Sequence, residues 1–233
     1  MVPELISPPS AFPGLFEKEQ LHSDLAECVG EEYGLPVLKH PLVYSVPYLP
    51  VLNKSLNLLF SQKTEALGEA SQARLWKACI ELFERPYRVE AFCRYRDLMS
   101  DTEYWELLAM VWIDSENIRE NQHVWEELLS SSRGCKQAFV GSGEELAAMP
   151  ESFLIYQGRT SERDDGWSWT VDEPTARWFA HRFAQLERSS PVVTIALVQR
   201  TDVLAYRQDR GESEIIVNPL RLEVQRTYAP STL

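Results

Sequence analysis

The spacing of apolar residues changes once along this chain, near residue 150, and that change restricts the fold more than anything in the composition. Upstream, Leu75, Trp76, Cys79, Leu82 and Phe83 recur at helical spacing up to an Arg85-Pro86 stop. Ser100-Asp101-Thr102-Glu103 has the form of a capping box and precedes Tyr104, Trp105, Leu107, Leu108, Val111 and Trp112. Ile118, Val124, Trp125, Leu128 and Leu129 continue the pattern until Arg133-Gly134, and Ser142-Gly143-Glu144-Glu145 opens a short further helix. The tryptophans share the apolar stripe, which assigns them to the core.

Downstream the rhythm shortens. Phe153-Leu154-Ile155-Tyr156 is a strand ending at Gly158, and Trp167-Ser168-Trp169-Thr170 is a second. Asp172 caps a helix with Pro174 in its first turn and Ala176, Phe179, Ala180 and Phe183 on its buried face. Pro191 to Gln199 is a buried strand, Asp202–Tyr206 reads as a strand or a tight turn, and Glu214–Val217 and Arg221–Tyr228 complete the set. Strands separated by one helix predict an α+β sheet domain.

Residues 1–52 differ again, holding 8 of the 14 prolines. Proline removes a backbone donor, so this segment is predicted to be neither a long helix nor a central strand. Its apolar content predicts an extended arm packed on the body. Three regions follow: an arm at 1–52, a helical region at 53–150 and a sheet domain at 151–233.

Charge and cysteines narrow the function. The net charge is −12; residues 151–233 hold 10 basic residues against 12 acidic ones, and every base there is Arg. Net acidity argues against broad contact with a nucleic-acid backbone. It leaves room for a local arginine cluster, whose planar forks grip a small phosphorylated ligand. Cys28, Cys79, Cys93 and Cys135 lie far apart with no Cys/His pair, so no metal is expected. The start, Met1-Val2-Pro3-Glu4-Leu5, lacks a basic segment followed by an apolar run. No apolar run approaches the ~18 residues a membrane helix needs. A cytoplasmic protein with no membrane partner is expected.

One local pattern carries chemistry. In Gly211-Glu212-Ser213-Glu214-Ile215-Ile216-Val217, two carboxylates precede a β-branched run. On an extended strand Glu212 and Glu214 point the same way, and their repulsion serves no structural end. A solvated strand start is the plain alternative. The ordered set is more specific than any piece: Tyr156-Gln157-Gly158 on a strand, Ser168-Trp169-Thr170 on the next, a helix, a buried strand, then Glu-x-Glu. This order resembles the mono-ADP-ribosyltransferase fold in its Arg–Ser–Glu class, as in bacterial toxins and phage-encoded enzymes. The resemblance covers about residues 151–228.

The resemblance implies an ADP-ribosyltransferase-like split β-sandwich behind a mainly helical N-terminal region, and a toxin-like or phage-type effector that moves ADP-ribose from NAD to an acceptor. NAD is then a substrate, and a protein arginine is the expected acceptor, rather than nucleic acid. Glu214 matches the residue that steadies the ribose cation, and Glu212 the one that orients the acceptor. Tyr156, Gln157, Gly158, Arg159, Ser168, Trp169 and Thr170 match the NAD-binding segments. The family carries Arg before the strand glycine; here that position is Gln157, which donates hydrogen bonds but no charge. Strand alternation puts Arg159 on the face of Gln157 as a substitute. NAD glycohydrolysis and a catalytically silent binding module are the alternatives. For Trp167 and Trp169 packing competes with ring stacking, and Asp164-Asp165 offers Arg159 and Arg163 partners.

Overall fold

The computed structural model describes residues 19–115, 118, 120–141, 143–208 and 213–231. The chain divides into two compact units, Met1–Ala91 and Phe92–Leu233. Helices predominate in the N-terminal part and the larger sheet is C-terminal, so the architecture is mixed α+β. No helix among the described residues is long and apolar enough to cross a membrane.

In the first unit a one-turn helix α1 (Ser23–Ala26) precedes three antiparallel strands, β1 (Val29–Glu32), β2 (Leu35–His40) and β3 (Val43–Ser45). The prolines predict an extended arm here, and the described part of it is a small sheet instead. Pro36 even sits in the central strand. The reason lies in the pleat. Lys39 N donates to Cys28 O, so residues 35, 37 and 39 turn their N–H groups toward β1. Position 36 faces the other way, where β3 has already ended at Ser45, and no ladder donor is lost. Tyr33 and Gly34 join β1 to β2 with φ of 51° and 77°, as a two-residue hairpin turn requires. Helices α2 (Asn53–Gln72) and α3 (Trp76–Leu82) follow, α3 stopping short of Pro86 as its spacing predicts. Helix α4 (Arg88–Tyr95) contains the division between the units.

The second unit starts with α5 (Asp101–Asp114), which has the capping box its sequence predicts. Ser100 Oγ accepts from Glu103 N, and Glu103 reaches back to Ser100 N. Helices α6 (Gln122–Leu129), α7 (Gln137–Val140) and α8 (Gly143–Ala148) follow. Trp105, Trp112, Trp125 and Phe139 are fully buried, with the Trp112 and Trp125 rings edge-on at 5.0 Å.

Strands β4 (Ser152–Thr160) and β5 (Ser168–Thr170), helix α9 (Glu173–Glu187), and strands β6 (Pro191–Gln199), β7 (Val203–Arg207), β8 (Glu214–Val217) and β9 (Glu223–Tyr228) complete the unit. Every strand predicted here is present. The strands form one antiparallel sheet in the order β7-β8-β5-β4-β6-β9. The expected break at residue 150 does not separate the helices from this sheet. Gly141 bridges to Tyr206 on β7, and Arg207 Nη1 donates to Phe139 O at 2.9 Å. Helices α5–α8 therefore share a unit with the strands.

Two features seat α9. Asp172 caps it by accepting from Thr175 N at 2.9 Å. Tyr228 on β9 donates to Glu173 Oε1 at 2.5 Å, which holds that carboxyl below its ordinary range with help from Arg177. On the sheet side, Ala176 and Ala180 press against Val193 and against Gly158.

Candidate active site

The register of three strands decides which side chains share a face. Tyr156 pairs with Thr170, and Thr170 with Glu214. Paired residues point the same way, so Tyr156, Ser168, Thr170 and Glu214 all face α9. Gln157, Arg159, Trp169 and Ile215 belong to the alternate set and start from the other face.

Glu214 is the first residue of β8 and is half-buried. Ser168 Oγ donates a short hydrogen bond to its Oε1. Trp112 Nε1 lies 3.3 Å from each carboxylate oxygen and donates to both. A strand hydroxyl and a helix indole thus fix the carboxylate from two directions. Ser168, expected among the NAD-binding residues, is here a partner of the carboxylate. The Trp112 contact links residues 102 apart in sequence, and no local pattern announces it. Trp112 was assigned to the core, which is correct for its ring and incomplete for its N–H.

Glu212 lies outside the described residues. The strand starts at Glu214, and Ser213 has a φ of 47°, in the left-handed region. The alternation expected to align Glu212 with Glu214 does not run through that residue.

A cavity of about 440 Å³ opens between the sheet face and α9. Ligand sites commonly fall in the range of roughly 300–1,000 Å³. Glu214, Ser168 and Tyr156 border it from the sheet, and Phe179, Arg182 and Phe183 from α9. Those three recur on one helical stripe with Thr175 and Ala176. Phe179 and Phe183 stack with ring centres 5.7 Å apart. Ser115, Ile118 and Glu120 border it from the segment after α5.

The other predicted residues prove to have structural duties. The Gln157 amide ties down the loop leading to β5: Nε2 donates to Ser168 O at 2.6 Å, and Oε1 accepts from Gly166 N at 2.9 Å. Arg159 does not replace a missing cation. Its Nε donates to Asp165 Oδ1 at 2.8 Å, and its Nη1 to the carbonyls of Thr160 and Arg163. Asp165 is the partner its sequence neighbourhood offered. Trp169 borders the cavity, but its ring is only 2% exposed and packs with Ile155 and Ile215, so packing prevails over stacking. Thr170 Oγ1 accepts from Asp172 N at the entry to α9. At Gly158 a Cβ would sit 1.9 Å from Ala176 O, so the glycine admits the helix.

A prediction follows for Gln157. Arginine has no acceptor, so Gln157→Arg leaves the half-buried Gly166 N–H without its partner and places a charge at a site 9% exposed. The expected cost is about 1–3 kcal/mol, read as a lower denaturant midpoint at unchanged slope. Placing an arginine at this strand position therefore weakens the protein. Unchanged stability in Gln157→Arg would show that the amide is not the clamp described.

Among the described residues, no three His, Cys, Asp or Glu side chains gather as a metal set. Comparison with protein-family models, with curated proteins and with solved structures returns no match.

Proposed function

We propose that this protein transfers ADP-ribose from NAD to an acceptor, with Glu214 as the catalytic carboxylate. The observation that carries the reading is the setting of Glu214. It sits at the edge of the cavity, is fixed by Ser168 and Trp112, and faces an aromatic and arginine-bearing helix. The order of motifs in the sequence resembles that of the ADP-ribosyltransferase fold, and in this reading the six-stranded sheet serves as its split β-sandwich.

The chemistry matches the geometry. Breaking the glycosidic bond sends its electron pair to the nicotinamide nitrogen and leaves an oxocarbenium-like ribose. A carboxylate whose orientation is set beforehand stabilises that charge as it develops, the logic shared with glycosidases. The acceptor then attacks the ribose carbon and gives up a proton. In this reading Glu212 orients the acceptor and a protein arginine is that acceptor, in a toxin-like or phage-type effector acting in the cytoplasm.

The test uses the full chain, NAD labelled in its adenine moiety, and cell extract. Label on protein together with released nicotinamide is the expected result. Free ADP-ribose with no labelled macromolecule converts the reading to NAD glycohydrolysis. A chain that is stabilised by NAD yet consumes none is a silent binding module, the reading that Gln157 favours because the residue before the strand glycine carries no charge.

A further inference from the structure

We propose that Arg182 is the anion anchor of the cavity and that a nucleoside diphosphate group binds there, with its flat base against Phe179 and Phe183. The choice of NAD as the molecule carrying that group rests on the transferase reading. The anchor itself rests on charge accounting.

Three arginines border the cavity, and two are already committed. Arg159 is paired with Asp165, and both side chains are largely shielded from solvent. Arg163 is paired with Glu187, its Nε donating to Oε2 at 2.7 Å while its guanidinium lies 5.5 Å over the Phe183 ring. Their charges are cancelled locally and their donors are largely used. Arg182 differs. It is exposed, and among the described residues it has no carboxylate within ion-pair distance. Its Cζ lies 5.2 Å from the centre of the Trp178 ring, a cation–π contact that uses none of its N–H donors.

The other charges bordering the cavity make such an anchor necessary. Glu120 and Glu214 both line it, and Gln157 adds no charge. A phosphorylated ligand entering there meets net repulsion unless a cation is available to it. A planar, permanently charged fork suits a diphosphate, which it grips through two parallel hydrogen bonds. Phe179, Arg182 and Phe183 fall at i, i+3 and i+4 on one helical stripe, so cation and apolar wall border the same cavity. An anionic group beside a flat ring is what that pairing fits.

The experiment measures ADP-ribose binding by calorimetry for wild type, Arg182→Gln and Arg182→Lys, at low and high salt. The side chain is exposed, so both variants are expected to unfold at the wild-type midpoint. Arg182→Gln should weaken ADP-ribose binding about tenfold or more, the scale of a charged hydrogen bond, and flatten its salt dependence. Arg182→Lys should recover part of the affinity. Wild-type affinity in Arg182→Gln, or no ADP-ribose binding by wild type, overturns the proposal. The two readings fail separately. If Arg182-dependent binding is found without NAD turnover, the anchor stands and the transferase reading falls. If Arg182→Gln turns over NAD with unchanged KM, the transferase reading stands and the anchor falls.

Discussion

Glu214→Gln should cut NAD turnover by about 10²–10³-fold while leaving the fold intact, the usual cost of removing one preorganised electrostatic group. Glutamine keeps the size of the side chain and one of its acceptor oxygens, so Ser168 and Trp112 retain a partner. What disappears is the charge that meets the ribose cation. That interaction exists only in the transition state, so kcat and kcat/KM should fall together with little change in KM. Trp112→Phe separates positioning from charge. It removes the N–H that reaches both oxygens and, with it, the five-membered ring of a fully buried side chain beside Trp125. A fall of about tenfold in kcat, with NAD affinity nearly unchanged, is expected for the lost hydrogen bond, alongside a lower unfolding midpoint from the cavity left in the core. Full turnover by Glu214→Gln would remove the basis of the proposed function. A Trp112→Phe enzyme of wild-type rate would reduce that indole to core packing.

Gly158→Ala should damage the protein more than its single methyl suggests. The new Cβ would stand 1.9 Å from Ala176 O and 2.6 Å from Ala180 N. Both neighbours are helix backbone, which cannot swing aside as a side chain does. Helix α9 must lift from β4, and with it the apolar contact of Ala176, Ala180 and Val193. Overpacking a well-filled interior costs roughly 1–3 kcal/mol and occasionally more. The upper end applies because no rotamer relieves the contact. Denaturant unfolding should show the loss directly. Phe179, Arg182 and Phe183 ride on the displaced helix, so ligand affinity should fall too. A Gly158→Ala protein with wild-type midpoint would mean that α9 does not sit on β4 as described.

The local grammar of this chain was legible wherever one stretch of backbone settles the question. Ser100 and Glu103 satisfy each other's neighbouring backbone groups within one turn, so a capping box is readable at sight. Asp172 caps α9 by accepting from Thr175 N, and Pro174 fits its first turn because it has no N–H to satisfy. Most strands from Ser152 to Val217 were visible as short apolar runs between turn residues, whereas β9 is mostly polar and exposed. Pro36 escaped because its tolerance in a central strand depends on where a neighbouring strand ends. Glu212 and Glu214 looked like one alternating pair because nothing local marks Ser213 as left-handed.

The site divides along the same line. Glu214 and Ser168 were readable because both belong to one ordered series of strands. Gln157 and Arg159 do border the cavity, but their polar groups are engaged by Ser168, Gly166 and Asp165, and a residue's chemical type does not say which face it leaves from or whether a neighbour has claimed it. The paired register of Tyr156, Thr170 and Glu214 settled the first point, and Asp165 and Gly166 the second. Trp112 and Arg182 needed the folded chain, because proximity across a hundred residues and charge left over after pairing are properties of packing. By itself the sequence determined the elements, their order and the carboxylate at the head of β8, because hydrogen bonds and side-chain periodicity act over a few residues. Only the tertiary structure decided which donors hold that carboxylate and which arginine stays available, because those outcomes depend on which surfaces the chain brings together.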